Sequence, residues 1–254
     1  APVVRYWGAR LHQSPDPVLW QPALPQAGLD EVRPLSIAPT LADGTFLEPA
    51  LRSHQHGQGW AEQWQLTATQ ATDAELAFVL ISRSGLVRLD WQVTLDTATD
   101  VLSIHTTLTN QSDAELALEQ WLTTWPLPRE HNDVLSFTGR WVNEFQPRRQ
   151  ALPIGALELT NLKGRTSHDH FPGLLTGSPG FTAEQGDVCA FHLGWSGNHR
   201  LRVERNQQGH TQFQAGAHLL PGEIQLEPGA HFTSPVLYAT RSSSGFNGIA
   251  ANFQ

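Results

Sequence analysis

The sequence predicts an all-β protein built as a large antiparallel β-sandwich, and three observations lead there. Period-two alternation recurs along the chain, as where Val87, Leu89, Trp91, Val93 and Leu95 share one face of a strand. Turn signals such as Ser84-Gly85, Ser196-Gly197-Asn198 and Pro228-Gly229 separate the alternating runs. No segment before Ser242 sustains helical periodicity. With 254 residues, 39% of them hydrophobic, the chain can bury a large core as one unit.

Taken in order, Val3 to Leu11 reads as a first strand carrying Tyr6-Trp7-Gly8. Pro15 to Pro39 is a Pro-rich connection with Leu29-Asp30 in its middle, and connections of that length are usually functional or disordered. Gly44 to Trp60 reads as irregular. Alternation then marks strands over Trp64 to Thr69, Glu75 to Ser82, Val87 to Leu95, Val101 to Asn110 and Glu115 to Trp125. Five shorter strands follow at Gly186 to Ser196, Leu201 to Arg205, Thr211 to Ala215, Glu223 to Leu226 and Pro235 to Thr240. Ser242 to Phe253 reads as a cap followed by the start of a helix. We therefore expect a sandwich over residues 1–241 and the start of a helical linker over 242–254.

A formal net charge of −8 without a basic stripe argues against nucleic acid or an anionic membrane as partner. An uncharged ligand suits such a surface. Nine Trp beside two Tyr is a balance found in carbohydrate-handling proteins, although indoles also fill sandwich cores. The single cysteine, Cys189, lies in the apolar run Val188-Cys189-Ala190-Phe191, reads as a buried inert thiol and fits a cytoplasmic protein. Ala1 to Arg5 shows neither an initiator Met nor a signal-type apolar core, and no stretch approaches a membrane span in length.

Ser136 to Pro172 concentrates the residue types that recognise sugars. An indole covers the C–H face of a pyranose, carboxylates and amides take its hydroxyls, and glycines let backbone approach. The competing reading of Trp141 is a core indole, with Arg140 and Glu144 as sandwich rim. Ser53-His54-Gln55-His56 and Ser167-His168-Asp169-His170 would each place two imidazoles on one face if extended, the spacing of a metal-binding strand. Both pairs lie in Gly- and Pro-rich surroundings, so we expect no metal there. Asp96 and Asp100 flank a hairpin and read as a solvated turn ahead of a calcium site. No phosphate loop or nucleophile elbow is present in the sequence.

Tyr6-Trp7-Gly8, Leu29-Asp30, Gly139-Arg140-Trp141-Val142-Asn143-Glu144, Gly164-Arg165-Thr166-Ser167-His168, Trp195-Ser196-Gly197-Asn198, Leu226-Glu227-Pro228-Gly229 and Gly245-Phe246-Asn247-Gly248 follow one another in a recognisable order. In that order they resemble the N-terminal β-supersandwich domain, galactose-mutarotase-like in fold, of bacterial α-galactosidases of glycoside hydrolase family thirty-six. The resemblance covers essentially the whole chain. It implies a (β/α)8 catalytic barrel beyond the helical linker, a homo-oligomeric enzyme without cofactor, and an α-galactoside oligosaccharide such as raffinose or melibiose as substrate. It also implies substrate-binding roles for Asp30 and Trp141, whose counterparts reach the galactose subsite of the barrel. The chain departs from many relatives where Thr45 and Leu47 replace an Asp and an Arg, and where Phe171-Pro172-Gly173 replaces Asn-Pro-Phe.

The chain by itself is expected to catalyse nothing. Retaining glycoside hydrolysis needs two carboxyl groups about 5 Å apart on a rigid scaffold. The family supplies both from its barrel, in a motif with a Lys two residues before the nucleophilic Asp. The only Lys here is Lys163, followed two residues later by Arg165. Two other classes suit the same sandwich: a free-standing carbohydrate-binding module, and a mutarotase-type epimerase pairing His168 or His170 with Glu204.

Overall fold

The computed structural model describes residues 1–8, 11, 35–45 and 47–254. Seventeen strands follow in chain order: β1 (Leu51–His54), β2 (Trp64–Ala71), β3 (Glu75–Ser82), β4 (Val87–Asp96), β5 (Val101–Asn110), β6 (Leu116–Trp121), β7 (Thr123–Leu127), β8 (Asp133–Arg140) and β9 (Asn143–Ala151). They continue with β10 (Gly155–Asn161), β11 (Gly173–Gly177), β12 (Val188–Gly194), β13 (His199–Arg205), β14 (Thr211–Ala217), β15 (Ile224–Leu226), β16 (His231–Thr233) and β17 (Val236–Ser242). A single α-helix among the described residues, α1 (Phe246–Asn252), closes the order.

The strands form a ten-stranded sheet ordered β2-β3-β4-β5-β17-β12-β11-β8-β9 with β16 also on β5, a four-stranded sheet β10-β13-β14-β7, and a three-stranded sheet β1-β6-β15. Every ladder between these strands is antiparallel. One core lies between the sheets. Leu80, Leu89, Ile104, Phe191 and Leu237 enter it from the large sheet, Leu201, Val203, Phe213 and Trp125 from the four-stranded one, and Leu51, Leu118 and Trp121 from the smallest. The strand alternation read from sequence is thus the alternation between this core and the opposite face.

Most described indoles fill the core. Trp91 stacks on Trp125 at 6.4 Å, Trp7 meets Trp125 edge-on at 5.4 Å, and Phe191 stacks on Phe213 at 4.1 Å. The Trp121 indole N–H donates to Thr106 Oγ1 at 2.7 Å. The tryptophan excess therefore carries less information about ligands than about packing. Cys189 is fully buried, and burial raises its thiol pKa well above the ordinary value, as an inert core thiol requires.

The outer face of the four-stranded sheet is polar. The register pairs Arg202 with Gln214 and Glu204 with Gln212, and puts Arg200, Arg202 and Glu204 on the face away from Leu201 and Val203. Glu48 plugs this face. Its backbone N–H donates to Glu204 Oε2 at 2.7 Å, its carbonyl accepts from Gln212 and Gln214, and its carboxylate meets Arg52 at 2.9 Å.

Three local expectations differ from the structure. Val3 to Leu11 forms no strand among its described residues, only an isolated bridge from Val3 to Ser36. The run from Glu115 to Trp125 breaks at Leu122, whose N–H donates to Ala50 O at 2.9 Å; Trp121 pairs with β1 and Thr123 with β14, so the chain steps between two sheets there. The irregular stretch before Trp60 contains β1, four residues long and too short for alternation to stand out.

Candidate functional site

The Trp141 site begins with the β8–β9 hairpin. Its ladder runs from Asp133 with Ala151 to Thr138 with Gln146, then a bulge intervenes before Arg140 pairs with Asn143. Trp141 and Val142 form the tip. Val142 has φ +66° and Phe145 φ +56°, conformations that a β-branched or aromatic residue adopts only at a cost of about 1–3 kcal/mol. Gly139 is required by close approach, since a Cβ there would sit 2.5 Å from Asn143 O and 2.8 Å from Glu144 Cα.

Two sets of contacts hold the strained tip. The Val142 N–H donates to Glu144 Oε1 at 2.9 Å. Below it, Phe145 stacks on Phe137 at 4.7 Å and meets Phe171 edge-on at 4.9 Å. The opposing wall is the loop between β10 and β11. Asn198 Oδ1 accepts the Gly164 N–H at 2.7 Å, Asn161 Nδ2 donates to Arg165 O at 2.7 Å, and the Trp195 indole donates to Asn198 O at 3.0 Å. The Ser196-Gly197-Asn198 motif is therefore a clamp on the Gly164–His168 motif. Lys163 forms an ion pair with Asp169, which also accepts from Ser167 Oγ at 3.2 Å.

Between hairpin and loop lies an open cavity of about 600 Å³, lined among others by Arg140, Trp141, Glu144, Arg165, His168 and Asp169. Trp141 is 77% exposed, so the core-indole reading is excluded. Its ring meets His168 edge-on at 6.0 Å, and His168 Nδ1 lies 4.0 Å from Glu144 Oε1. The Glu144 carboxyl is held below its usual range by its own backbone N–H and that of Val142, with His168 adding to the effect. It is thus an ionised acceptor, the opposite of a general acid. An indole face beside an ionised carboxylate, an imidazole and hydroxyls supplies the apolar wall and the hydrogen-bonding groups that a polyol requires.

Asp30 lies outside the described residues. Thr45 and Leu47 are both buried. His54 Nδ1 accepts from the Gly57 N–H at 3.0 Å and its ring lies 4.5 Å from Trp60, while His56 has φ +50°, so the two imidazoles do not share an extended face. His168 and His170 sit in a loop outside any strand, and burial followed by the nearby Lys163 lowers the His170 pKa. No group of three or more His, Cys, Asp or Glu among the described residues could hold a metal ion. Glu204 is bound to Arg202 at 3.0 Å and to the Glu48 N–H on the four-stranded sheet, and it lines no part of the His168 cavity. The aromatic floor of Phe137, Phe145 and Phe171 escapes sequence reading. These residues come from three separate elements, and no spacing links them.

Fold and site together define a β-sandwich domain with an aromatic, polyol-compatible opening at the tip of one hairpin. The chain belongs to the family described as the glycosyl hydrolase family 36 N-terminal domain, whose model matches residues 1–227. It is 36% identical over 251 residues to an α-galactosidase of Escherichia coli, an alignment covering 98% of this chain and 35% of the relative. Among solved structures, the α-galactosidase of Lactobacillus brevis superposes with a TM-score of 0.83 at 25% identity, over 98% of this chain and 37% of that one. An α-galactosidase of Geobacillus stearothermophilus in complex with raffinose shares the fold, with a TM-score of 0.86 at 19% identity over 99% of this chain and 39% of that one. The chain therefore spans about a third of the length of the relatives it matches.

Proposed function

We propose that this chain is the non-catalytic N-terminal domain of a retaining α-galactosidase and completes the galactose subsite of a catalytic barrel with Trp141 and Asp30. The observation that carries this reading is the exposed Trp141 on a backbone whose strain nothing in the sandwich itself requires. Strain held in place by an aromatic floor and a carboxylate fits a tip that works on something outside the domain. The named relatives are α-galactosidases, and one was solved with raffinose. Terminal α-linked galactose in raffinose-type oligosaccharides is accordingly the proposed substrate. The hydrolytic carboxyls come from the barrel, joined through α1 and the linker begun at residues 242–254. The complete enzyme is a cytoplasmic homo-oligomer in this reading. No helix among the described residues is long and apolar enough to cross a membrane.

The test is kinetic. In the complete enzyme, Trp141→Ala lowers kcat/KM for an α-galactoside about tenfold to a hundredfold, equivalent to about 1–3 kcal/mol of lost transition-state binding. Thermal unfolding of the sandwich should change little, because the side chain packs so little of itself. Unchanged kinetics would remove Trp141 from the subsite, and the isolated chain should hydrolyse no chromogenic α-galactoside.

A further inference from the structure

Among the motifs that play no part at the Trp141 hairpin are Tyr6-Trp7-Gly8 near one end of the chain and Gly245-Phe246-Asn247-Gly248 near the other. The fold brings them together. α1 lies against β17 and β12 and buries Ile249 with Leu135, Phe181, Val188 and Ala190. This approach needs Gly248, because a Cβ there would run into Ser242 Oγ. Between α1, the end of β17 and the Tyr6-Trp7-Gly8 segment opens a second cavity of about 1170 Å³, whose wall includes Tyr6, Trp7, Asp73, Asp100, Arg241 and Asn252.

The chemistry of that wall is specific. Trp7 is fixed edge-on against Trp125 and tilted against Phe191 at 6.0 Å, and Tyr6 beside it is 47% exposed. Asp73 and Asp100 come from the β2–β3 and β4–β5 turns, which the Leu95 N–H clamps together by donating to Ala74 O at 2.7 Å. Neither carboxylate has a protein partner among the described residues, whereas Asp187 on the same wall is paired with Arg241 at 2.6 Å and contacts His131 Nε2 at 3.0 Å.

We propose that this cavity is a second carbohydrate-binding site, taking an uncharged oligosaccharide. The exposed Tyr6 ring offers an apolar platform for a sugar face. Asp73 and Asp100 accept sugar hydroxyls in charge-assisted hydrogen bonds, and Thr97 and Ser243 supply neutral partners. Two unneutralised carboxylates repel an anionic ligand. The volume exceeds the range of about 300–1,000 Å³ usual for small-molecule sites, which fits several sugar rings in preference to one. This cavity binds sugar whether or not Trp141 faces a galactose subsite.

Titration of the isotopically labelled 254-residue chain with raffinose, followed by amide NMR, tests it. The amides of Gly8, Thr97 and Ser243 should shift with dose, and should do so equally in Trp141→Ala. In Tyr6→Ala, and in the double variant Asp73→Asn with Asp100→Asn, the affinity at those amides should fall at least about tenfold. The conservative Asn pair keeps the turns polar and the chain folded, which circular dichroism verifies. Shifts confined to Gly164 through His168, no shifts at Gly8, Thr97 and Ser243, or equal affinity in the variants would each overturn the second site. The first of these outcomes would leave the Trp141 reading standing.

Discussion

The β4–β5 and β8–β9 hairpins belong to the same ten-stranded sheet and end in opposite ways. β4 and β5 pair without interruption from Val87 with Asn110 to Asp96 with Val101. Their turn is made by the residues such turns favour: Asp96 Oδ1 accepts the Ala98 N–H at 2.9 Å, and the single positive φ falls on Asp100, a residue type that tolerates it. β8 and β9 break register near the tip and place an indole and a β-branched side chain where a tight turn calls for Asn or Gly. One tip follows local backbone preference; the other departs from it and displays Trp141. The departure is stabilised by neighbouring aromatics, and it is the observation on which the role proposed for Trp141 rests.

Removing packing from each hairpin gives the largest contrast. Leu89 of β4 is fully buried, and Leu89→Ala should cost about 2–5 kcal/mol in urea-induced unfolding. Phe145 of β9 is 55% exposed, so Phe145→Ala should cost about 1 kcal/mol. Equal losses would mean that the β8–β9 tip is as much part of the core as β4.

Between the hairpins, β12 and β17 are tied at one end through Asp187, whose carboxylate pairs with Arg241 and hydrogen-bonds His131. Burial raises the Asp187 pKa, but these partners more than offset it and bring it down to about 2. A carboxyl depressed in the folded state stabilises fully above its unfolded pKa of about 4, and that stability is lost as pH falls through about 2. The tie is worth about 2 kcal/mol on this basis. Acid titration of stability should therefore show a decline in this window that Asp187→Asn flattens, with the Trp141 tip unaffected. A variant that keeps the wild-type acid profile would place the sensitivity elsewhere.

The smallest effect separates the two turns directly. Val142→Gly relieves the positive φ and should raise stability by about 0.5–1 kcal/mol, while Asp100→Gly should stay within about 0.5 kcal/mol of wild type. Differential scanning calorimetry on both variants reads the difference. Destabilisation by Val142→Gly would show that the valine side chain contributes more than its backbone costs.

The sequence by itself determined the class of fold, the strands β3 and β5 to the residue, and β12 to β15 and β17 approximately, because burial on one face of a strand writes a period of two into the chain; β8 to β11 and β16 are not legible that way. It also determined the family, through motifs whose order survives where their contacts cannot be read. Tertiary structure alone decided where the chain changes sheet. Trp121 and Thr123 look alike in an alternating run, and only the Leu122 N–H bonding to Ala50 O sends them to different partners. It decided that Trp141 is exposed while Trp91, Trp121 and Trp125 are buried, a distinction that no indole carries in its own identity. It also decided that His54 and His56 do not converge, since a left-handed φ at His56 undoes the alternation that their spacing presumes. Local periodicity is a property of neighbours in sequence, whereas strain, sheet exchange and the meeting of Tyr6 with Asn252 across one cavity are properties of residues that only folding makes neighbours.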